Sequence, residues 1–284
     1  MKFKKWRVMG ILILLTACGI LVWLQIPYSP VKKDFQKHVE QLKQRQSNLE
    51  GVFSHEDFSQ FPEVIQRYMD HCGYIGAPKM SSMKMDYGEV SFTMDRSSKA
   101  MHVGYVQYNF ASMPSRLALI DASIFGIPFE GLDYYEDGCG GMKGILAKGL
   151  PLFNQQGEEM NRACLVTYLA ESLFMPTTLL ENDIVFEALK DHAVKATITY
   201  GGETVSGIFS FNDDDEMIAF TTNDRSMTND DGTMEHFPWT ARCGDYREAE
   251  SGLVQPTTFQ AVWHYSDGDF VYFDGIINNI SYDG

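Results

Sequence analysis

The sequence predicts an α+β protein, with an N-terminal transmembrane anchor followed by a curved, mainly antiparallel β-sheet, half-barrel-like, with two or more helices packed on it. Three observations carry this reading. Residues 8–26 run nineteen positions without a formal charge. From Lys79 onward, short stretches rich in Val, Ile, Tyr and Phe are punctuated by Gly, Asp and Asn, the texture of strands and turns. Two segments, opening near Pro62 and Glu158, space their apolar residues as one face of a helix.

Taken in order, residues 1–7 form a basic tail with Lys2, Lys4, Lys5 and Arg7. Residues 8–26 are long enough to cross the hydrocarbon core as a helix, and Pro27 and Pro30 end it at the membrane surface. Leu15–Gly19 resembles a bacterial lipobox in which Cys18 would be lipidated, so a lipoprotein anchored at Cys18 is the alternative. The chain stays apolar from Ile20 to Leu24, which favours an uncleaved signal anchor. Basic residues flank both ends of the run, since Lys32, Lys33, Lys37, Lys43 and Arg45 follow it, and the positive-inside rule discriminates weakly. The signal-like order, basic head before apolar run, places the N-terminus in the cytoplasm and the body outside. Residues 27–60 read as a polar stalk, with Val31, Phe35, Val39, Leu42 and Leu49 at roughly helical spacing. Residues 61–284 read as one α+β domain.

Within that domain Pro62 and Glu63 open a helix that Gly73 stops, with Val64, Ile65, Tyr68, Met69 and Cys72 on its buried face. Glu158–Phe174 is a second helix, with Cys164, Leu165, Tyr168, Leu169 and Leu173 along its stripe and Met175-Pro176 at its end. Two hairpins are marked. Val205, Phe209 and Phe211 alternate with polar or small residues, Asn212–Glu216 turns, and Met217–Thr222 returns. Phe259, Ala261, Trp263 and Tyr265 alternate before Ser266–Asp269 turns into Phe270–Phe273. The last run sets Ile276, Ile280 and Tyr282 on one side, with Asn278 an exception.

The chain is 44% hydrophobic and 13% aromatic, with a formal charge of −15. This excludes a disordered chain and a polytopic membrane protein, and it argues against a nucleic-acid groove, which needs a basic face. No lysine follows Lys195, so a basic membrane end carries an acidic body. The chain holds no zinc helix, Walker loop or nucleophile elbow, and its scattered histidines give no metal site. No cofactor is implied. Asn229–Gly232 approaches a calcium loop, but Pro238 stands where that loop needs its bidentate Glu. Asn212–Glu216 reads as a solvated turn. Ser81-Ser82-Met83-Lys84 matches Ser-x-x-Lys without the companion motifs of penicillin-interacting enzymes. Asp137–Gly141 is glycine-dense and reads as a bend around a small packed Cys139, with a reactive thiol as the sharper alternative. Cys72, Cys139, Cys164 and Cys243 allow three pairings into two disulfides. Glu171, at the flank of the long helix, either borders a cavity or pairs with an arginine such as Arg67, Arg225 or Arg242. A structural ion pair is the default, and a general base is the alternative.

Several spaced motifs act together. Pro62–Tyr68, Tyr168–Glu171, Pro176–Leu180 and Pro238-Trp239, continued by Tyr246, Gly252, Pro256 and Trp263, resemble an uncharacterised bacterial membrane-tethered family known only as a domain of unknown function. The likeness spans roughly residues 60–284. Thr167 stands where that family tends to carry Arg, and Phe174 where it tends to carry Trp. The family brings no established activity. By fold-level analogy the expected sheet is similar to the half-barrel cups of lipoprotein-carrier and lipid-binding envelope proteins. The function expected is a membrane-tethered extracytoplasmic module binding a hydrophobic or amphiphilic ligand, a lipid among them. Ligand-binding candidates are Arg67, Tyr68, Tyr168, Glu171, Trp239 and Trp263. The alternatives are an envelope hydrolase using Glu171, towards which no catalytic constellation points, and an acidic structural or interaction protein.

Overall fold

α1 (Lys2–Gln25) carries the apolar run. From Lys5 to Gln25 its side chains are exposed, with Leu24 alone half-buried. Among the described residues it is the one helix long and apolar enough to cross a membrane. The structure, a computed structural model, describes residues 2–47, 49–190, 192–228 and 234–283.

α2 (Pro30–Arg45) begins at a Ser29 cap with proline in its first turn, as helix starts favour. Its Val31, Phe35, Val39 and Leu42 are buried, and the last three form a small core with Phe110 and Leu117. Ion pairs fasten its length to the body: Lys32 to Asp121, Lys43 to Asp283 at 2.7 Å, Arg45 to Glu136, and Arg45 to Asp137 at 2.7 Å. The part of 27–60 expected as a stalk is therefore helical but not a free spacer, because its apolar stripe has a sheet to cover. α3 (His55–Phe58) and α4 (Glu63–His71) follow. Phe53 and Phe58, upstream of residue 61, already belong to the main core.

Six strands then run as a meander: β1 (Ser82–Phe92), β2 (Met101–Phe110), β3 (Ser115–Ile124), β4 (Ile127–Glu136), β5 (Cys139–Leu146) and β6 (Leu150–Gln156). The chain next crosses through α5 (Glu158–Glu171), a 3₁₀ turn at Ser172–Phe174 and α6 (Thr177–Glu181). A second meander uses β7 (Ile184–Lys190), β8 (Ala193–Tyr200), β9 (Glu203–Phe211) and β10 (Met217–Thr222). It continues past the small ribbon β11 (Ser226–Thr228) and β12 (Met234–His236) into β13 (Trp239–Gly244). After the ribbon β14 (Arg247–Glu248) and β15 (Val254–Gln255) it ends in β16 (Thr258–Tyr265) and β17 (Gly268–Asp283).

β17 pairs with β1, which joins both meanders into one antiparallel thirteen-stranded sheet with β6 and β7 as its edges. The sheet is not closed. α5 touches β4, β5, β8 and β9, so the helical crossing lies on the inner face between the two edges. Inner positions bury Met83, Met85, Tyr105, Ala118, Phe209 and Phe220 against Leu165, Leu169 and Leu173, while α2 covers part of the outer face. Strand alternation thus feeds two cores.

The last strand departs from the expected pattern. Ile277 and Ile280 are buried, whereas Ile276 is 51% exposed. Around Tyr87 the β1–β17 register slips: Asp86 faces Asn279, Tyr87 faces Ile277 and Glu89 faces Ile276. Asn278 and Gly88 are left over as a bulge, and the Asn278 side chain occupies the space a Cβ on Gly88 would need, within 2.3 Å. The bulge resets which residues face inward.

Candidate functional site

Inner positions of β2 and β3 carry Tyr105, Gln107, Asn109 and Arg116, polar groups that a core tolerates only when each is hydrogen-bonded. Arg116 lies at their centre, 4% exposed. Its Nε donates to Glu171 Oε2 at 3.0 Å and its Nη1 to Asp133 Oδ2 at 2.6 Å. Its Nη2 donates to the Tyr105 hydroxyl and to Gln107 Oε1, each at 2.8 Å. Asn109 Nδ2 donates to Glu171 Oε2 at 2.8 Å, and Gln107 Nε2 donates to Asn109 Oδ1 at 2.9 Å. Burial opposes the charge on Arg116, but Glu171, Tyr105 and Asp133 outweigh it and push its pKa well above the ordinary arginine value. The guanidinium is a permanent cation neutralised in place.

A second cation stands nearby in different company. Arg225 lies 4.6 Å from the Trp239 ring centre and 5.8 Å from that of Trp263, distances at which cation–π attraction operates. Its Nη1 donates to Thr167 Oγ1 at 2.7 Å, and among the described residues no carboxylate lies within ion-pair reach of it. Trp239 Nε1 donates to the Tyr272 hydroxyl at 3.0 Å, and Trp263 stacks on the same ring. Trp239 and Trp263 face each other across β13 and β16, which is what brings two remote tryptophans to one arginine. Thr167 on α5 thus has a cation beside it supplied from another element.

These groups surround a cavity of about 120 Å³ lined by Tyr87, Tyr105, Gln107, Arg116, Asp133, Thr167, Glu171, Arg225, Trp239, Tyr272 and Phe273, with Phe92, Ile120 and Met142 among its apolar walls. A second chamber, of about 290 Å³, shares Phe92, Ile120 and Met142 and adds Met94, Met101, Val103, Phe129, Phe153 and Gln155. An apolar chamber thus lies next to a polar one, with Phe92, Ile120 and Met142 lining both. A larger groove, of about 440 Å³, lies on the outer side beside α2, along Phe35, Leu132, Tyr134 and Ile145, but it gathers no comparable buried polar set.

The expected site residues divide. Glu171 and Trp239 line the cavity, and Trp263 braces it from behind. Arg67, Tyr68 and Tyr168 do not reach it. Arg67 Nε donates to Asp215 Oδ1 at 2.8 Å in the β9–β10 turn. Tyr68 is fully buried beneath α4. The Tyr168 hydroxyl donates to the Phe110 carbonyl at 2.8 Å. Glu171 pairs with Arg116, not with the three arginines proposed for it, since Arg242 pairs with Asp269 and Arg225 bonds Thr167.

The remaining motifs resolve structurally. Ser81 Oγ donates to the Asp283 carbonyl and Lys84 pairs with Asp86, so the two do not form a dyad. All five cysteines are free thiols, with Cys139 exposed and Cys72, Cys164 and Cys243 buried. The Asp137–Gly141 bend packs closely: Gly138 meets Gly201, and Gly140 meets Cys164 and the Met160 carbonyl. Asn229–Gly232 lies outside the described residues. Arg116, Asp133, Gln107 and Asn109 were not singled out from the sequence. The only trace they leave is polar residues at alternate positions of otherwise apolar strands.

A family profile, Family of unknown function (DUF6544), matches residues 51–275. No functionally curated protein matches the chain. Among solved structures, a provisionally named outer membrane lipoprotein-sorting protein domain from Vibrio parahaemolyticus is similar at 11% identity and a TM-score of 0.41, over 78% of this chain and 91% of that one. A DUF1329 family protein from Desulfovibrio piger is similar at 11% identity and a TM-score of 0.43, over 82% of this chain and 94% of that one. At such identity neither likeness transfers an activity or a ligand.

Proposed function

Since the chain belongs to the DUF6544 family, whose function is unknown, we propose on physical grounds that it is a membrane-tethered, extracytoplasmic protein that binds a hydrophobic or amphiphilic ligand. In this reading residues 8–26 are a single-pass signal anchor, residues 1–7 are cytoplasmic, and the body is a single α+β domain held at the outer surface.

The observation that carries it is the pair of adjacent chambers that share Phe92, Ile120 and Met142. Met94, Met101, Val103, Phe129 and Phe153 offer an unbranched tail an apolar wall, and methionine-rich walls adapt to varied shapes. Arg225, Thr167 and the Arg116 network then meet whatever polar end follows. Glu171 holds Arg116 in place, and its doubly engaged Oε2 supports a structural role over a general base.

The test is mass spectrometry of the full chain purified in mild detergent, beside Ile120→Trp and Met142→Trp, which fill the wall between the chambers. A co-purifying amphiphile lost in both variants is expected. Absence of any bound amphiphile, with none taken up on addition, would sink the reading. Turnover of an amphiphilic ester by wild type and not by Glu171→Gln would favour the hydrolase.

A further inference from the structure

The hairpin ends near α1 carry features that folding alone does not require. The β3–β4 connection is the two-residue turn Phe125-Gly126, with φ of 52° and 80°. Such turns favour Asn or Gly at their left-handed positions, yet here the first is Phe, 101% exposed. The neighbouring β5–β6 connection puts two further non-glycine residues, Ala147 and Lys148, at φ of 52° and 65°. From that position Lys148 Nζ donates to the carbonyls of Trp23 and Ile26 at 2.9 and 2.6 Å, and it lies 5.5 Å from the Trp23 ring centre. One carbonyl of the last turn of α1, which lacks a helical partner, and that of Ile26 just beyond the helix are thus bonded by the tip of the sheet. The Ala147 N–H donates to the Pro128 carbonyl at 2.8 Å, which ties the two hairpin ends together. Leu150 and Leu152 beside them are exposed, as is Met94 at the end of β1.

We propose that this rim, Phe125, Leu150 and Leu152 with Met94 alongside, sits in the interfacial layer of the bilayer that α1 crosses, so that the apolar chamber opens onto lipid. The proposal rests on the reading of α1 as the anchor. The occupant is a lipid surface and not a protein because the rim is continuous with the anchor: Lys148 fixes it level with Trp23 and Ile26, where the apolar run ends. Trp is enriched at membrane interfaces, and Lys can lay its stem along apolar surface with its charged head in the polar layer. The chamber lies at the same end of the sheet, since Phe92, Met101 and Phe129 come from the ends of β1, β2 and β4 nearest these turns and Met94 follows β1 there, with Phe153 at the middle of β6. A tail leaving the leaflet would meet apolar side chains throughout its path.

The experiment is spin-label accessibility on the full chain in phosphatidylcholine–phosphatidylglycerol nanodiscs. Labels go on Phe125→Cys and Leu150→Cys, each with Cys18→Ser and Cys139→Ser. Native Cys139, at the opposite end of β5 and about 25 Å away by strand rise, is the water-facing reference in Cys18→Ser alone. Leu14→Cys, in the double-serine background, reports the anchor. Oxygen is expected to dominate relaxation at 14, 125 and 150, and a water-soluble nickel chelate at Cys139. Nickel dominating at 125 and 150 while 14 stays in lipid overturns the rim and leaves the anchor intact. Nickel dominating at 14 overturns the anchor itself. Shielding of 125 and 150 from both relaxants means a protein covers them, which also overturns the proposal. Because Phe125 is fully exposed and Leu150 lies on an edge strand, neither substitution removes core packing.

Discussion

Arg116 donates to two carboxylates, a phenol and an amide from a buried position, and this decides what removing a partner does. Glu171→Ala leaves a buried cation short of a counter-charge, a change that costs about 3–5 kcal/mol. Glu171→Gln should cost less, because an amide oxygen still accepts from Arg116 and Asn109. Urea denaturation of the full chain in micelles, followed by tryptophan fluorescence, reads both. Thiol chemistry is equally local. Burial pushes the Cys243 thiol up to about 12, and those of Cys72 and Cys164 higher still, so thiolate is scarce there at pH 8. In Cys18→Ser protein, an aromatic disulfide reagent should titrate Cys139 alone before unfolding and the three buried thiols only afterwards.

At the scale of elements, α2 is attached by one apolar stripe and a row of ion pairs. Leu42→Ala should cost about 2–5 kcal/mol, as core truncations do, with hydrogen exchange rising in residues 30–45 and not in β1 or β17. The ion pairs add a pH dependence. The hydrogen bond from Lys43 holds the Asp283 carboxyl below the usual range. A carboxyl depressed on folding stabilises above its unfolded value and loses that contribution as pH falls through its folded one. Exchange protection of α2 should therefore hold at neutral pH and fall below about pH 4, ahead of the central strands. The turns offer a sharper test. Gly138 and Gly201 stand so close that a Cβ on Gly201 would lie 2.4 Å from the Gly138 Cα. Gly201→Ala should push the β4–β5 and β8–β9 turns apart and lower the melting temperature, whereas alanine at Gly149, which meets nothing within 4 Å, should not.

Across the whole molecule, the two meanders share one sheet and one inner face, so filling that face is coupled to global stability. A ligand that binds only the folded state at a hundredfold excess over its Kd stabilises by about 2.7 kcal/mol. A long-chain amphiphile that fits the chambers should therefore raise the melting temperature of wild type and leave that of Ile120→Trp unmoved. Acidity is also a property of the whole. The basic residues gather around α1 and α2 and the body is acidic; in the proposed anchoring this disfavours lateral contact of the body with anionic lipid and leaves the apolar rim as the surface suited to it.

The apolar N-terminal helix, the sheet-rich texture, both major hairpins and the helix that begins at Glu158 were legible in the sequence, because each is written in contiguous periodicity and turn residues. So was membership of a family of unknown function. Of the cavity, Glu171 and Trp239 were legible and Arg116 was not. A period-two pattern tells which side of a strand a residue faces, but not which remote strand or helix faces it in return. Only the antiparallel closure of β17 on β1, with α5 laid across the inner face, decides that Glu171 meets Arg116. The β13–β16 pairing seats Arg225 on Trp239 and Trp263, while Arg67, Tyr68 and Tyr168 lie elsewhere. The bulge at Gly88 and Asn278 makes the same point within one strand, since a single slipped residue turned Ile276 outward and Ile277 in. Local order set the elements, and pairing across long stretches of chain, whose partners no local pattern names, set the site.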